Sequence, residues 1–500
     1  MTFSYYSPDS SKDKNRRWRH SRWSMLRPAA ALALALVAIA SGAPIGAAPE
    51  GKKSKSTPSE QESIGITIYN DNLGLVKDVR KLSLPRGITA LTFEGVASRI
   101  DPTSVHIRSI DNPGHLSVLE QNFEYDLISP GKLMEKYLGK VVDLVTKEES
   151  EEIAVKARLI GIEGGYVYEI GDQIAINPPG RVVLPSLPEG LISRPSLVWL
   201  LNNTSKEHRV EASYLTSGIG WKANYVAVLT SNDANLDLSG WVTIDNQSGA
   251  TYQDATLKLV AGDVNQVPQQ RAKMMPDALY ARGGQAEEVA FAEEAFFEYH
   301  LYTLQRPATI KDKQTKQIAL LGAADISVDK TFIYEPARNY FFAAMPAPEM
   351  GKKIGVFINV ENRKENNLGM PLPKGVVRVY KKDKAGDLQF IGEDWIDHTP
   401  QDEKIRVKMG EAFDVVADRT QTDFKIISSG RLYESSFKIS IRNHKTEDIV
   451  VSVVERLQGD WQIIHKSHPY NKESSHKVRF DIPVPAQGAT DLTYTVQIRY

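Results

Sequence analysis

The sequence predicts an all-β protein, and three observations support this. Short runs alternate apolar with polar side chains and are bounded by Pro, Gly or charged turns. Four strand-like runs end on Asn, a residue that tolerates the left-handed backbone and hydrogen-bonds within its own turn. Helical patterns are scarce, and the segment Gly131 to Tyr137 is a short example. We therefore expect an N-terminal β domain with a small SH3-like barrel, followed by a large C-terminal β-sandwich region.

The composition is that of a globular chain. Of 500 residues, 41% are hydrophobic and 25% are charged, with 61 Lys and Arg against 62 Asp and Glu. This excludes a disordered chain, a collagen and a polytopic membrane protein, and the charge balance gives no reason to expect nucleic acid as a partner. The chain has no cysteine, which excludes disulfides, a lipidated cysteine and thiolate metal sites.

The first 47 residues have the pattern of a secretory signal peptide. A basic stretch from Arg16 to Arg27 precedes the apolar block Ala29 to Ala40, and small residues follow up to a cleavage site after Ala47. The start at Met1 or Met25, and the general or twin-arginine export route, both stay open. Beyond the signal no stretch reaches about 18 apolar residues, so we expect no transmembrane span. The protein is predicted to be exported to the periplasm, the cell surface or the medium.

The mature chain divides into a tether and two regions. Residues 48–62 are mostly Lys, Ser and Glu and are predicted to form a flexible tether. The N-terminal β domain is expected at 63–195, because Ile64, Ile66 and Ile68 begin a series of alternating runs. Three further runs, at 141–145, 153–160 and 165–170, are so closely spaced that they indicate a small barrel at about 138–184.

The C-terminal region is expected at 196–500. Its four strand-like runs end at Asn202, Asn246, Asn362 and Asn443, at intervals too irregular for a solenoid or propeller. Four similar hairpins explain this pattern, and internal duplication is the alternative. Residues 268–296 interrupt the strands with Met, Pro, Gly and a group of Glu, and are predicted to be a flexible insert, with a short helix as the alternative.

Several separated blocks together resemble one protein family. They are Gly220 to Tyr225, Gly240 to Asn246, Asp254 to Leu259, Phe297 to Tyr302, Thr315 to Gln317, Leu368 to Gly375 and Tyr494 to Tyr500. In this order they are similar to the bacterial domain of unknown function 4139 family, which is related to the mucoidy inhibitor A proteins. The resemblance covers about residues 195 to 500, with a weaker extension back to Ile64. It implies an exported, β-rich protein and supplies no catalytic residues.

A search for chemistry yields weak candidates. There is no nucleophile elbow, zincin motif, Walker loop or dinucleotide fingerprint, and no cofactor is expected. His465, His468 and His476 are spaced closely enough to share a metal ion, although three neighbouring lysines and a proline favour a solvated turn. Another group combines carboxylates with a histidine for acid and base work, but it has the pattern of a hairpin turn. Its members are Glu393, Asp394, Asp397, His398, Asp402 and Glu403.

The aromatic side chains indicate a binding surface. Trp221, Trp241 and Tyr225 lie within one stretch, and aromatic platforms on β-sandwiches hold sugars or peptides. The alternative is that the two tryptophans are core residues. We thus expect an exported envelope protein with a binding or structural role, and not an enzyme, whose partner is another envelope protein or a surface glycan. The alternative is an envelope hydrolase, possibly metal-dependent, that uses the histidines or the acidic cluster.

Overall fold

The computed structural model describes residues 51–148, 151–188, 190–265, 291–336, 341–345, 347–428 and 430–500. The regular secondary structure of these residues is almost entirely β-strand, which confirms the predicted all-β class. The predicted signal peptide lies outside the described residues, and so does the predicted insert up to residue 290. Within the described residues, no helix is long and apolar enough to cross a membrane.

The strands of the N-terminal half are short, as Pro and Gly turns follow each other closely. In chain order they are β1 (Lys52–Ser56), β2 (Gln61–Tyr69), β3 (Gly74–Ser83), β4 (Gly87–Glu94), β5 (His106–Ser109), β6 (Leu116–Glu124), the helix α1 (Pro130–Lys136), β7 (Val141–Glu148), β8 (Glu151–Gly161), β9 (Val167–Ile170), β10 (Gln173–Ile176) and β11 (Arg181–Val183). Two single-turn 3-10 helices, Pro58–Glu60 and Pro102–Ser104, lie among them.

The strands of the second half are longer. They are β12 (Ser196–Asn203), β13 (Glu207–Thr216), β14 (Ile219–Leu229), β15 (Asn235–Asn246), β16 (Tyr252–Ala261), β17 (Phe291–Phe296), β18 (Tyr299–Leu304), β19 (Ala308–Ile310), β20 (Gln314–Tyr334), β21 (Glu349–Glu361), β22 (Gly375–Lys382), β23 (Leu388–Ile396), β24 (Lys404–Ser428), β25 (Leu432–Asn443), β26 (Ile449–Arg456), β27 (Asp460–Lys466), β28 (Asn471–Ser474), β29 (Lys477–Val484) and β30 (Gly488–Arg499). A third 3-10 turn is Lys364–Asn366. The strand β17 shows that the end of the predicted insert, Phe291 to Phe296, is ordered.

The predicted tether contains a strand, so this prediction is wrong over Lys52–Ser56. β1 runs parallel to β4 in the four-stranded sheet β1-β4-β12-β6. Ser56 is fully buried, and its hydroxyl accepts a hydrogen bond from Arg80 Nη1 at 3.3 Å. The amino-acid composition of this segment could not indicate the strand β1, because the contacts that stabilise it are main-chain hydrogen bonds and one buried polar pair.

Strand pairing crosses the predicted boundary at 195/196. β12 pairs with β4 and β6, β13 pairs with β3 and β5, and β16 runs parallel to β2. The eight-stranded sheet β17-β18-β16-β2-β3-β13-β5, with β19 beside β16, therefore contains strands from both predicted regions. One hydrophobic core runs from Ile64 to Val407. The two regions share this core and do not form separate domains.

The predicted barrel region is an open sheet. Its strands follow the order β10-β9-β8-β7-β11 between residues 141 and 183, within the expected 138–184, but the outer strands β10 and β11 do not pair with each other. The helix α1 packs beside it with Ser129 as its N-cap, whose hydroxyl accepts the Lys132 N–H at 3.2 Å. Met134 of α1 contributes to a small separate core with Leu159 and Tyr168. The predicted small barrel is therefore not closed.

The largest sheet has the path β23-β22-β14-β15-β20-β21-β24-β25-β30-β27, and β26, β28 and β29 extend it from β20. The 21-residue strand β20 contributes to both main cores: its first part pairs with β15, and its last part with β21 and β26. The second core lies between β25 and β30 on one side and β26 and β29 on the other. Phe480 and Tyr494 stack across it with ring centroids 5.5 Å apart.

Buried asparagines end four strands, as the sequence pattern indicated. They are Asn203, Asn246, Asn362 and Asn443, each at most 1% exposed. Each side-chain amide donates to main-chain carbonyls of adjoining turns, for example Asn443 to Glu447 at 2.8 Å and to Pro485 at 3.1 Å. In the first run the buried residue is Asn203 and not the predicted Asn202, since side chains alternate between the two faces of the strand.

Candidate binding face

One face of the largest sheet points away from the core and carries aromatic side chains. Val377 and Val379 of β22 are buried, so Val376, Arg378 and Tyr380 point to the opposite side. The same alternation on β14, β15 and β23 places five further residues there. These are Asn224, Trp241, Thr243, Glu393 and Trp395. We call this surface, with Phe390 and Leu388 at its margin, the outer face.

Trp395 and Trp241 lie in one row of the outer face. Trp395 is opposite Val376, Val376 is opposite Asn224, and Asn224 is opposite Trp241. Neighbouring strands are about 4.8 Å apart, so three intervals separate the backbones of the two tryptophans by about 14 Å. Trp395 is 66% exposed, whereas Trp241 is half-buried. The row thus presents two aromatic rings with smaller side chains between them.

Polar groups surround this row and are held by mutual hydrogen bonds. Asn224 Nδ2 donates to Thr243 Oγ1 at 2.8 Å, and Gln317 Nε2 donates to the same oxygen at 3.1 Å. Arg378 Nε lies 3.0 Å from Glu393 Oε2, so these opposite charges neutralise each other. A neutral ligand with many hydroxyl groups could form hydrogen bonds with such a surface without breaking the ion pair of Arg378 and Glu393.

Two more aromatic residues lie further along the outer face. The rings of Tyr380 and Phe390 meet edge to face with centroids 5.7 Å apart, and Phe390 is 55% exposed. Sequence reasoning missed these residues and Trp395, because their stretch was assigned to the arms of a hairpin. The alternation of Glu393, Trp395 and the buried Ile396 was the signal that could have identified an exposed face.

Trp221 and Tyr225 lie in the core instead of on a binding surface. Trp221 is 3% exposed, and its indole N–H donates to the Val260 carbonyl at 3.2 Å. Tyr225 is fully buried, and its hydroxyl donates to the Pro373 carbonyl at 2.7 Å. Neither ring can reach a ligand. Of the three predicted binding residues, Trp241 alone has a partly exposed ring, because it points to the outer side of β15.

The three histidines predicted as metal ligands do not form a ligand set. His465 is exposed on β27, His476 is exposed in the turn before β29, and His468 Nδ1 lies 2.8 Å from the hydroxyl of Ser467. Among the described residues, no group of three or more His, Asp or Glu side chains is arranged to hold a metal ion. His465 lies on a strand and His476 in a turn, so their closeness in sequence does not bring their side chains together.

The acidic residues around His398 serve the local backbone. Asp394 Oδ2 accepts the Lys408 N–H at 2.8 Å, which draws β23 towards β24 and curls the sheet. Asp402 occupies a turn with a left-handed backbone, φ 67°. His398 Nδ1 accepts the Lys374 N–H at 3.2 Å, and burial, together with the charge of Lys374, lowers the pKa of His398. These contacts support the hairpin turn that the sequence pattern indicated.

A buried Ser-His-Asn network occurs elsewhere, at the end of β5. Asn203 Oδ1 is 2.8 Å from His208 Nε2, and His208 Nδ1 is 2.8 Å from the Ser109 hydroxyl. A surface cleft of about 260 Å³ adjoins Ser109. The serine is only 5% exposed, however, and its oxygen also accepts the Asn112 N–H at 3.3 Å. We therefore assign this network to holding the loop after β5, since a nucleophile must be accessible to substrate.

The fold and the outer face together define a class: an all-β protein with two main cores and a solvent-exposed aromatic sheet face. The chain belongs to the family described as Domain of unknown function (DUF4139), whose model matches residues 210–500. The match confirms the resemblance seen in the sequence and includes every strand of the outer face. No curated protein matches the chain.

Proposed function

We propose that this chain is an exported envelope protein that acts by binding, and that its outer face holds a surface glycan. The observation that carries the proposal is the row of Trp395, Val376, Asn224 and Trp241. Large aromatic rings on a sheet face contribute wide apolar contact at a low cost in side-chain entropy. Because the two rings are separated by about three strand intervals, an extended ligand can contact both.

A glycan fits this surface better than a charged polymer does. Sugar rings have apolar C–H faces, which pack on aromatic rings, and hydroxyl groups that exchange hydrogen bonds with Asn224, Thr243 and Gln317. Arg378 and Glu393 neutralise each other, and the row of Trp395, Val376, Asn224 and Trp241 carries no charged side chain that would attract a polyanion. The alternative ligand is an envelope protein that packs on the same rings.

The envelope location rests on the sequence. The first 47 residues have the basic, apolar and small segments of a signal peptide. A chain with no cysteine requires no oxidising or reducing compartment for its stability and tolerates export. We place the protein in the periplasm or at the cell surface, where polysaccharides are abundant ligands.

The experiment is calorimetric titration of the exported protein with soluble oligosaccharides: chitohexaose, cellohexaose and mannohexaose. We expect binding of at least one. Replacing both rings in Trp241→Ala/Trp395→Ala should lower its affinity by roughly tenfold or more, because each lost ring contact is worth about 1 kcal/mol. Phe413→Ala is the matched control, since Phe413 is 82% exposed and lies outside the face. The proposal fails if no oligosaccharide binds, or if the double variant binds as tightly as the wild type.

A further inference from the structure

The strand β10 forms an open edge of the five-stranded sheet β10-β9-β8-β7-β11. Among the described residues, β9 is the one strand that pairs with it. The Asn177 N–H donates to the Tyr166 carbonyl at 2.8 Å, where this pairing ends. Because successive residues of an antiparallel strand direct their main-chain groups to alternate sides, Ala175 also bonds towards β9. The N–H and C=O groups of Ile174 and Ile176 therefore face the open edge.

The side chains at this edge are apolar and exposed. Ile174 and Ile176 are 69% and 72% exposed. Ala175 lies opposite Tyr168, a member of the small separate core, so the two isoleucines point to the other side of the sheet. They lie together on the solvent side, next to the main-chain groups that face the open edge.

β10 differs from the other strands at the ends of the sheet paths. In the part of the chain that the structure describes, these are β1, β5, β6, β11, β17, β23 and β27, and each carries at least one charged side chain. Charged side chains on an edge strand oppose pairing with another chain, whereas apolar exposed edges favour it. β10 has the sequence Gln-Ile-Ala-Ile and no charge. Its edge is therefore suited to accept a further strand.

We propose that β10 pairs with β10 of a second copy of this chain, antiparallel and about a two-fold axis. Residues 173–177 are symmetric in side-chain type, with an amide at each end, two isoleucines and a central alanine. Pairing this segment with itself places Ile174 opposite Ile176 of the second copy, and the two Ala175 residues opposite each other. All the isoleucines then lie on one side of a continuous sheet, where apolar cross-strand pairs stabilise the contact.

The same register satisfies the main chain. The edge-facing groups belong to Ile174 and Ile176, and this pairing sets the groups of one opposite those of the other. Each such pair exchanges N–H···O=C hydrogen bonds in both directions. Pro178, which has no N–H, ends the ladder. Backbone and side chains thus select the same alignment.

This symmetry favours a second copy over a foreign strand. A foreign segment would need only alternating apolar side chains, whereas residues 173–177 match themselves in register, in side-chain type and in the absence of charge. The contact is short, so we expect a weak dimer whose population rises with concentration. The edge belongs to a different sheet from the outer face, so the inference does not depend on glycan binding.

The test is sedimentation equilibrium of the exported protein from about 10 μM to about 500 μM, a range that suits a small interface. We expect the average mass to rise from that of a monomer towards that of a dimer. Ile174→Lys/Ile176→Lys should weaken dimerisation by roughly tenfold or more, because it sets like charges opposite each other. The matched control is Ile426→Lys/Ile427→Lys on β24, where the isoleucines are 59% and 51% exposed. Circular dichroism and thermal unfolding would verify that both variants fold.

Two variants at one position distinguish strand pairing from contact of side chains alone. Ile176→Pro and Ile176→Ala both remove the isoleucine, but the proline also removes an N–H that faces the open edge and leaves the bonds to β9 in place. The proline variant should therefore dimerise more weakly than the alanine variant. Equal dimerisation of the two would overturn strand pairing.

A single introduced thiol reports the register, because the chain has no cysteine. The two Cα atoms of residue 175 would be about 4.5 Å apart, within the range of a disulfide. Ala175→Cys should give a disulfide-linked dimer under mild oxidation. Gln173→Cys should not, since its two copies would lie about 13 Å apart along the strands.

Three outcomes would overturn the inference. The wild type could stay monomeric over the whole concentration range, or Ile174→Lys/Ile176→Lys could dimerise as the wild type does. Gln173→Cys could also cross-link as readily as Ala175→Cys. A dimer that is lost in Ile426→Lys/Ile427→Lys and kept in the β10 variant would place the interface elsewhere and exclude this edge.

Discussion

Arg419 and Glu455 form an ion pair inside the second core. Arg419 Nε lies 3.0 Å from Glu455 Oε1, and the side chains are 0% and 4% exposed. The Tyr494 hydroxyl donates to the same carboxylate at 2.7 Å, and the guanidinium lies 4.1 Å from the centre of the Phe437 ring. Burial raises the pKa of the Glu455 carboxyl, while Arg419 and Tyr494 oppose that shift. Two charges are thus retained within an otherwise largely apolar core.

Removing one member of this pair should destabilise the fold. Arg419→Met leaves the carboxylate buried without its counter-charge, and we expect a loss of about 3–5 kcal/mol in the free energy of unfolding. The double variant Arg419→Met/Glu455→Leu should recover most of this loss, since no buried charge remains. Urea denaturation measures both. The control is Lys438→Met, which breaks an exposed ion pair with Asp491 and should cost little stability. The expectation is contradicted if Arg419→Met lowers the free energy of unfolding no more than this control does.

Asp233 should make stability depend on pH. It forms ion pairs with Lys330 at 2.7 Å and with Lys381, which tie β20 and β22 to the turn after β14. Burial favours the neutral acid, but the hydrogen bonds from both lysines outweigh it and lower the pKa of Asp233. A carboxyl whose pKa is lowered by folding stabilises above its unfolded pKa, and this stabilisation is lost as the pH falls through the folded value.

Asp233→Asn should therefore lower the stability at pH 7, with the difference from wild type shrinking below about pH 4. Thermal unfolding across this pH range provides the measurement. A difference that stays constant from neutral to acid pH would show that the lost contribution is not electrostatic.

His208 should matter for stability and not for catalysis. His208→Ala leaves Ser109 and Asn203 without their shared partner, and we expect a loss of about 1–3 kcal/mol. His115→Ala is the control, because His115 is exposed and should change stability by less than about 0.5 kcal/mol. A fluorophosphonate probe should not label Ser109. Covalent labelling that the His208 variant abolishes would instead favour the hydrolase alternative.

Salt should have little effect on ligand binding at the outer face. Arg378 and Glu393 neutralise each other there, and the row of Trp395, Val376, Asn224 and Trp241 carries no charge, so oligosaccharide affinity should change by less than about twofold between low and high salt. Calorimetric titrations at several ionic strengths measure this change. A larger loss of affinity at high salt would show that the outer face relies on unpaired charge.

The local sequence pattern predicted much of the fold, because the alternation along a strand and the turn residue at its end are both properties of the local sequence. Period-two alternation identified the strands around Ile64, and the Asn residues at the ends of β15, β21 and β25 were predicted from turn chemistry. The strand β1 was missed, since Lys52–Ser56 is polar and becomes a strand through its pairing with β4. Local composition cannot report a main-chain pairing with a distant segment.

The outer face shows the same division between local pattern and long-range pairing. The sequence by itself determined the all-β class, the family and the choice of Trp241 as one candidate, because hydrophobic periodicity and motif order are properties of the chain. Only the tertiary structure decided that Trp221 is buried and that Trp395 shares a row with Trp241. The physical reason is strand register: hydrogen bonding between β23, β22, β14 and β15 determines which side chains of distant segments share a face, and no single strand contains that information.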